Sequence, residues 1–121
     1  MSAPLLIKNK IKKFNKKINV TGDKSLSIRW VLLASLATGK SKAHNLLMSE
    51  DVLAAIDSIK KLGIKVKIYK NYCEIFGNGI NGFKFKKNLT IDAKNSGTLS
   101  RLILGLLIRS PIKIKLVGDK S

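Results

Sequence analysis

The sequence has very few of the residues that form disulfides and metal centres. Cys73 is its only cysteine and His44 its only histidine among 121 residues. A disulfide within the chain needs two cysteines, and structural zinc sites take four cysteine or histidine ligands. The sequence therefore excludes an intrachain disulfide, a cysteine cluster and a multi-histidine metal site, and we expect no metal.

Long apolar segments are missing as well. No apolar run approaches the roughly 20 residues that span a bilayer, and the short apolar run at residues 4–7 is soon followed by lysines. That run is too short for the apolar core of a secretory signal. We therefore expect no membrane association and a cytoplasmic, reducing location.

Acidic residues are scarce, so charge of one sign dominates. Lysine and arginine number 24 against 7 aspartate and glutamate, giving a net charge of +17. This excess favours anionic partners such as nucleic acid, an anionic membrane or phosphorylated metabolites. Only three of the basic residues are arginines: Arg29, Arg101 and Arg109.

A small basic nucleic-acid-binding protein is one interpretation of that charge. Scattered lysines are a weak indication of it, because bidentate recognition of phosphates and bases favours arginine. Aromatic residues make up only 6% of the chain, and no helix-turn-helix or RNA-recognition signature is present. Nucleic-acid binding therefore remains the less favoured alternative.

Hydrophobic periodicity predicts alternating strands and helices in the order β-α-β-α-β-β-β-α-β, an α/β (α+β) arrangement. In the first helix the spacing predicts a buried face of Leu26, Trp30, Leu33, Leu36 and Ala37. The predicted strands are residues 18–20, 42–47, 64–68, 72–76, 89–93 and 112–116, and the predicted helices run from Ser25 to a stop at Gly39, from an N-cap at Ser49 to Gly63, and over 98–109. Residues 1–17 are predicted to be an edge strand or a flexible lead-in to a domain formed by residues 18–121.

The first polar turn joins the strand predicted at residues 18–20 to the first helix. Lys24 and Ser25 lie at the start of that helix, and Arg29 follows Ser25 by four residues, on the same helix face. An ammonium, a hydroxyl and a guanidinium there could hold a phosphate or carboxylate beside the free N–H groups of the helix. Taken alone, this pattern is more often an ordinary helix cap with solvated charges.

A second turn repeats this plan at residues 95–98. Asn95, Ser96, Gly97 and Thr98 precede a helix that carries Arg101 three residues after Thr98. Gly97 would let a ligand approach the backbone closely. An ordinary capped loop is again the commoner explanation of one such turn, but two of them, using two of three arginines, favour anion binding.

The sequence also contains an internal echo. The segment Val-Thr-Gly-Asp-Lys-Ser at residues 20–25 resembles Val-Gly-Asp-Lys-Ser at residues 117–121. Both copies follow a predicted strand, and the second ends where the first begins its helix. We therefore expect this chain to be a portion of a longer protein.

Three motifs occur in one order along the chain: GDKSLSIR, NLLMSEDVLAAIDSIKKLGIKV and NSGTLSRLILGLL. Together they resemble the N-terminal part of the 5-enolpyruvylshikimate-3-phosphate (EPSP) synthase family over residues 18–121. The sister family of UDP-N-acetylglucosamine enolpyruvyl transferases is a further alternative. Its members have Gly-Ala-Lys-Asn in the first turn, where this chain has Asp23 and Ser25, and a reactive cysteine in a later loop than Cys73.

The resemblance implies a two-domain fold of βαβαββ units, of which this chain would be a partial domain, truncated at its C-terminus. It implies transfer of the enolpyruvyl group of phosphoenolpyruvate to the 5-hydroxyl of shikimate 3-phosphate, without metal or organic cofactor. The residues that move protons would lie in the missing C-terminal part of the same enzyme, so this chain would supply no catalytic residue and be inactive alone.

The resemblance also implies roles for residues of the two turns. Lys24 would contact both substrates, and Ser25 and Arg29 would hold shikimate 3-phosphate. Asn95 and Gly97 would lie in the turn that binds phosphoenolpyruvate. Thr98 and Arg101 would support that turn and its positive charge.

Overall fold

The computed structural model describes residues 3–120, which form three helices and five strands. The elements in chain order are α1 (Lys24–Leu36), β1 (Thr38–His44), α2 (Glu50–Lys61), β2 (Lys65–Ile68), β3 (Tyr72–Asn78), β4 (Thr90–Asp92), α3 (Gly97–Leu107) and β5 (Lys115–Val117). The predicted mixture of helices and sheets is confirmed. Residues 1, 2 and 121 lie outside the described residues, including the serine that ends the second copy of the echo.

The strands form two small sheets. The first has the order β1-β3-β2 with antiparallel neighbours, and Ile75 of β3 lies opposite both Ser41 and Val66. The second pairs β4 with β5 in parallel, with Ile91 opposite Leu116. Parallel neighbours need a long crossover, and α3 supplies it. This β4-α3-β5 unit positions the second polar turn at the carboxyl end of β4.

The core lies where the helices meet the first sheet and β4. α1 contacts α2, α3 and β3, and α2 contacts β4. The fully buried large side chains come from every helix and from both sheets: Ile28, Val31, Val52, Ile56, Ile59, Leu62, Cys73, Ile75, Ile91, Leu99 and Ile103. Cys73 lies among them, and its burial raises the pKa of its thiol.

The helix α2 and the two strands after it were predicted to within a few residues. Ser49 is the N-cap residue of α2, and Gly63 follows its end with a φ of 85°, a conformation that suits glycine at this position. The strands β2 and β3 are antiparallel neighbours and form a hairpin. Leu53 is 39% exposed and does not share the buried face of α2, which includes Val52, Ile56 and Ile59.

The buried face predicted for α1 was wrong. Leu26 and Leu33 are 68% and 66% exposed, whereas Ile28, Val31 and Leu32 are buried. Apolar residues occur on both sides of this helix, so its periodicity does not distinguish the two faces. The buried side includes Ser27 and Ser35, small residues that sit between α1 and its neighbours. Of the predicted set, Trp30 is half-buried and packs against the core.

Two boundaries near α1 also differ from the prediction. Residues 3–23 form neither helix nor strand, so the strand predicted at 18–20 and the alternative edge strand at 5–17 are not observed. A strand needs a neighbouring strand to pair with its backbone groups, and none of the strands within residues 24–120 pairs with this segment. Gly39 does not end α1, because the helix ends at Leu36 and Gly39 lies within β1. The division of the chain after residue 17 stays a prediction.

The caps of α1 and α2 allow a direct comparison. Asp23 Oδ1 accepts a hydrogen bond from the Leu26 N–H at 2.7 Å, whereas Ser49 makes no capping bond and its Oγ is buried without a partner among residues 3–120. We expect Asp23→Ala to lower the free energy of unfolding by about 1 kcal/mol, and Ser49→Ala to leave it within about 0.5 kcal/mol or raise it. Urea unfolding of both variants checks this, and equal losses would contradict it.

Candidate functional site

The first turn is held at the start of α1 by Asp23. This side chain caps the helix, which makes Lys24 the first helical residue and Ser25 the second. The predicted start near Ser25 is thus correct to one residue, although Ser25 is not the cap. Because Asp23 satisfies the Leu26 N–H, the Ser25 hydroxyl is not needed for capping and is available to a ligand.

Lys24 links the starts of two helices. Its Nζ lies 3.2 Å from Oδ2 of Asp51 in the first turn of α2. The Lys24 side chain is 54% exposed and that of Asp51 only 16%. An ammonium has three donors, so the ion pair orients Lys24 and leaves its exposed side able to meet an anion.

Arg29 and Ser25 lie on one face of α1, as predicted. Arg29 Nη1 donates to the Ser25 carbonyl oxygen at 3.2 Å, and the Arg29 side chain is exposed. A guanidinium has five N–H donors, and one bond to a carbonyl leaves most of them free. The structure therefore places Lys24, Ser25 and Arg29 together at the exposed start of α1.

The loop after β1 fixes the position of this turn. Asn45 Nδ2 donates to the Val20 carbonyl oxygen at 3.3 Å, and the Leu47 N–H donates to Ser27 Oγ at 3.1 Å. Gly22 lies so close to this loop that an added Cβ would overlap the Asn45 carbonyl oxygen and stand 3.0 Å from the Leu47 nitrogen. A glycine is thus required by the close approach of two backbones.

The second turn is built on Asp92, a residue that the sequence motifs did not indicate. Asp92 Oδ1 accepts from the Lys94 N–H at 2.8 Å, and its Oδ2 lies 2.8 Å from Lys94 Nζ. The bonds that the Lys94 side chain and backbone donate lower the pKa of Asp92, and donation to the Asp92 carboxylate raises the pKa of Lys94. Lys94 has a φ of 53°, so Asp92 stabilises a left-handed residue in the turn.

The start of α3 completes this turn. Ser96 is the N-cap residue, and its Oγ accepts from the Leu99 N–H at 3.2 Å. An alanine Cβ at Gly97 would meet nothing within 4 Å, so the backbone at the first position of α3 faces open space. The predicted openness of Gly97 is thus observed.

A cleft of about 420 Å³ lies over this turn. It is lined by Ala93, Lys94, Asn95, Ser96, Gly97, Ser100, Leu116, Val117, Gly118 and Asp119. Two predicted residues, Asn95 and Gly97, are among them. The other two are not: Thr98 is half-buried, and Arg101 is exposed and in no salt bridge with residues 3–120.

The echo of the first turn forms the other wall of the cleft. The Asp119 N–H donates to the Lys94 carbonyl oxygen at 2.9 Å, and an added Cβ at Gly118 would stand 3.0 Å from that oxygen. Both glycines of the repeated Gly-Asp pair, Gly22 and Gly118, are therefore pressed against a neighbouring backbone carbonyl. The two copies thus share a close backbone approach at their glycine.

Carboxylates of α2 interact with a lysine of each turn. Lys24 is paired with Asp51, and attraction to Asp57 and Glu50 adds to the raised pKa of Lys94. α1 and α3 also contact each other directly. Each turn thus combines a helix start, exposed N–H groups and at least one cation, an arrangement suited to binding an anion.

Asp92, Lys94 and Ser100 belong to the second turn and its cleft but were not predicted from the sequence. The spacing of Asp92 and Lys94 was a usable signal, because aspartate side chains commonly bond the backbone N–H two residues on. Within residues 3–120, no group of three or more histidine, cysteine, aspartate or glutamate side chains could hold a metal ion. No helix in that range is long and apolar enough to cross a membrane.

Comparison with known proteins gives a consistent result. The family model for EPSP synthase (3-phosphoshikimate 1-carboxyvinyltransferase) matches residues 8–121. A protein of Bacillus cytotoxicus named 3-phosphoshikimate 1-carboxyvinyltransferase is 39% identical over 110 residues, which cover 91% of this chain and 26% of that protein. A protein of the same name from Streptococcus suis is 36% identical over 115 residues, which cover 95% of this chain and 27% of that protein.

The fold agrees with a solved structure as well. EPSP synthase from Acinetobacter baumannii superimposes with a TM-score of 0.80 and 31% identity, covering 88% of this chain and 24% of that one. The chain thus spans about a quarter of the length of the relatives that it matches.

Proposed function

The chain belongs to the EPSP synthase (3-phosphoshikimate 1-carboxyvinyltransferase) family, and from this premise we propose that it forms part of the substrate-binding surface of such an enzyme. The reaction is transfer of the enolpyruvyl group of phosphoenolpyruvate to the 5-hydroxyl of shikimate 3-phosphate, with release of phosphate. The observation that carries this proposal is the cluster of Lys24, Ser25 and Arg29 at the exposed start of α1.

In this proposal the first turn binds shikimate 3-phosphate. Ser25 offers a hydroxyl, and Arg29, four residues on, offers the donors left free by its bond to the Ser25 carbonyl. Charge-assisted hydrogen bonds to a phosphate or carboxylate are stronger than neutral ones. Lys24 is bonded to Asp51 and so lies between the start of α1 and the start of α2. From this position its ammonium contacts both substrates.

The second turn binds phosphoenolpyruvate in the same proposal. Asn95 and Gly97 line the cleft over the start of α3, where the helix dipole and exposed N–H groups favour an anion. Thr98 and Arg101 act from the first turns of α3, Thr98 by supporting the turn and Arg101 by adding positive charge. The two bonds between Asp92 and Lys94 stabilise the conformation of the turn.

The role of this surface is electrostatic. Fixed cations and N–H donors that are already oriented lower the free energy of a polyanionic reacting complex without reorganising. Because the chain spans about a quarter of its relatives' length, we assign the proton transfers and the closure of the site to the remainder of such an enzyme. This chain alone is expected to bind without turning over.

The proposed phosphoenolpyruvate turn is tested by Gly97→Ala. An alanine here meets no protein atom within 4 Å and is a better helix former than glycine, so the fold is retained. The methyl group instead enters the cleft, where one added carbon in a fitted site costs about 10-fold in affinity. Calorimetric titration with phosphoenolpyruvate measures this change.

The matched control for that test is Gly105→Ala. Gly105 also lies in α3 with nothing within 4 Å of its Cβ position, but it does not line the cleft. We expect this variant to bind phosphoenolpyruvate as the parent chain does. Equal affinities of the Gly97→Ala variant and the parent chain would place the ligand elsewhere.

A further inference from the structure

A second cationic cleft lies at the other end of α2. Its volume is about 600 Å³, and five lysines line it: Lys60, Lys61, Lys84, Lys86 and Lys87. The remaining lining residues are Gly63, Asn88, Leu89 and Thr90. Neither a carboxylate nor an aromatic ring is among the residues that line this cleft, and we refer to it as the lysine cleft.

Backbone contacts fix the walls of the lysine cleft. The Lys84 N–H donates to the Leu62 carbonyl oxygen at 2.9 Å, which ties the 84–89 segment to the end of α2. An added Cβ at Gly63 would stand 3.1–3.2 Å from three carbons of the Lys84 side chain, so this stem lies directly on the glycine backbone. Lys61 Nζ donates to the Thr90 carbonyl oxygen at 2.9 Å, which orients a second lysine.

The end of α2 does not need these ammonium groups. Free carbonyls at a helix end often bind lysine side chains, but here backbone N–H groups occupy them. The Leu62, Gly63 and Ile64 N–H groups donate to carbonyl oxygens of residues 58–60. The charges of the lysine cleft are therefore available to another partner.

Nearby carboxylates neutralise only part of this charge. Asp57 lies one turn before Lys61 on α2, and Lys61 contributes to the lowered pKa of Asp92. Asp92 itself is bonded to Lys94. Five ammonium groups around one cleft repel one another, and a bound polyanion removes that repulsion.

The lysine cleft is separate from the two turns assigned to the substrates. Asp51, which pairs with Lys24, and Lys61 are ten residues apart on α2, a distance of about 15 Å along a helix. Near the second turn, Thr90 lines the lysine cleft, whereas Ala93 lines the cleft over the start of α3. A ligand in the lysine cleft therefore leaves the start of α1 open.

We propose that the lysine cleft binds a linear chain of phosphates, either inorganic polyphosphate or the triphosphate group of a nucleotide. Lysine binds phosphate as a point charge on a flexible stem, and five of them spread around 600 Å³ match several phosphates better than one. The lining has no aromatic and no arginine side chain. This disfavours nucleic acid, because proteins that bind single strands stack the bases on such side chains.

The test is calorimetric titration of the chain with tripolyphosphate at low salt. A triple variant, Lys84→Gln, Lys86→Gln and Lys87→Gln, removes three charges of the cleft. The matched control, Lys8→Gln, Lys10→Gln and Lys12→Gln, removes three exposed lysines from the N-terminal segment. We expect one tripolyphosphate per chain, an affinity about 10- to 100-fold weaker in the cleft variant, and little change in the control.

Amide NMR of the parent chain makes the test independent of whether the triple variant folds. Tripolyphosphate should shift the signals of residues 60–63 and 84–90 and leave those of 23–29 in place. ATP in a parallel titration separates the two sources: equal affinity indicates that the phosphate chain alone is recognised, and tighter binding indicates a nucleoside triphosphate.

Three results would overturn the proposal. The first is a failure of tripolyphosphate to bind. The second is an equal loss of affinity in both triple variants, which would show attraction to net charge alone. Single-stranded DNA that binds more tightly and displaces tripolyphosphate would point to nucleic acid instead. None of these results bears on shikimate 3-phosphate at the start of α1, so the two proposals fail separately.

Discussion

Replacing Arg29 with alanine is expected to weaken binding of shikimate 3-phosphate by about 10- to 100-fold. Arg29 is exposed, and its Nη1 donates one hydrogen bond to the Ser25 carbonyl oxygen at 3.2 Å. A hydrogen bond to a charged group contributes about 1.5–3 kcal/mol, which corresponds to that range of affinity. Titration calorimetry of the parent chain and the variant measures it.

Arg109 provides the matched control for Arg29. It is also exposed and carries the same charge, but it follows α3 and lines a different cavity with Phe83 and Phe85. We expect Arg109→Ala to leave the affinity for shikimate 3-phosphate within about twofold, because Arg109 lies in a different cavity and salt screens exposed charges. If the two variants lose affinity equally, the effect comes from net charge and the assignment of Arg29 is wrong.

Replacing Gly22 with alanine is expected to have the largest effect on stability. Its Cβ would overlap the Asn45 carbonyl oxygen and crowd the Leu47 nitrogen. The two loops must then separate, which disturbs the Leu47 N–H bond to Ser27 and the Asn45 bond to Val20. Overpacking of this kind costs about 1–3 kcal/mol, measured as a loss in the free energy of unfolding by urea.

The Gly22→Ala variant is also expected to bind shikimate 3-phosphate less well while folded, because Lys24 and Ser25 follow within three residues of the displaced backbone. Gly105→Ala is the control for stability: it fills open space in an exposed part of α3 and should raise stability by up to about 1 kcal/mol. A Gly22→Ala chain as stable as the parent would show that the two loops are not held together as described.

Sequence patterns were sufficient where local signals agreed with one another. In α2, acidic residues in the first turn, a regular apolar face and a glycine after the end all indicate the same helix, and the structure confirms it. The hairpin of β2 and β3 follows from clean alternation of apolar and charged residues. These elements depend mainly on their own residues.

Patterns were insufficient where the partner of an element decides the outcome. α1 is apolar on both sides, and only the packing of α2, α3 and β3 selects the face with Ile28 and Val31. Residues 18–20 are β-branched at two positions, yet a strand also needs a neighbour to pair with. Neither the buried face of α1 nor the lack of a pairing strand for residues 18–20 can be predicted from the segment alone.

The candidate site shows the same division. The cluster of Lys24, Ser25 and Arg29 follows from helical spacing, and the structure brings those residues together. The pairing of Lys24 with Asp51, and of the second turn with the Gly118–Asp119 segment, joins residues that are distant in sequence. Such contacts depend on the topology of the fold and not on any local motif.

The most direct test of the account is an amide NMR titration of the chain with shikimate 3-phosphate. We predict saturable shifts of residues 23–29, including Lys24, Ser25 and Arg29, and a much weaker response in the Arg29→Ala variant. A folded chain whose signals do not move would contradict the account. So would shifts confined to the lysine cleft, or a response of residues 23–29 to UDP-N-acetylglucosamine in place of shikimate 3-phosphate.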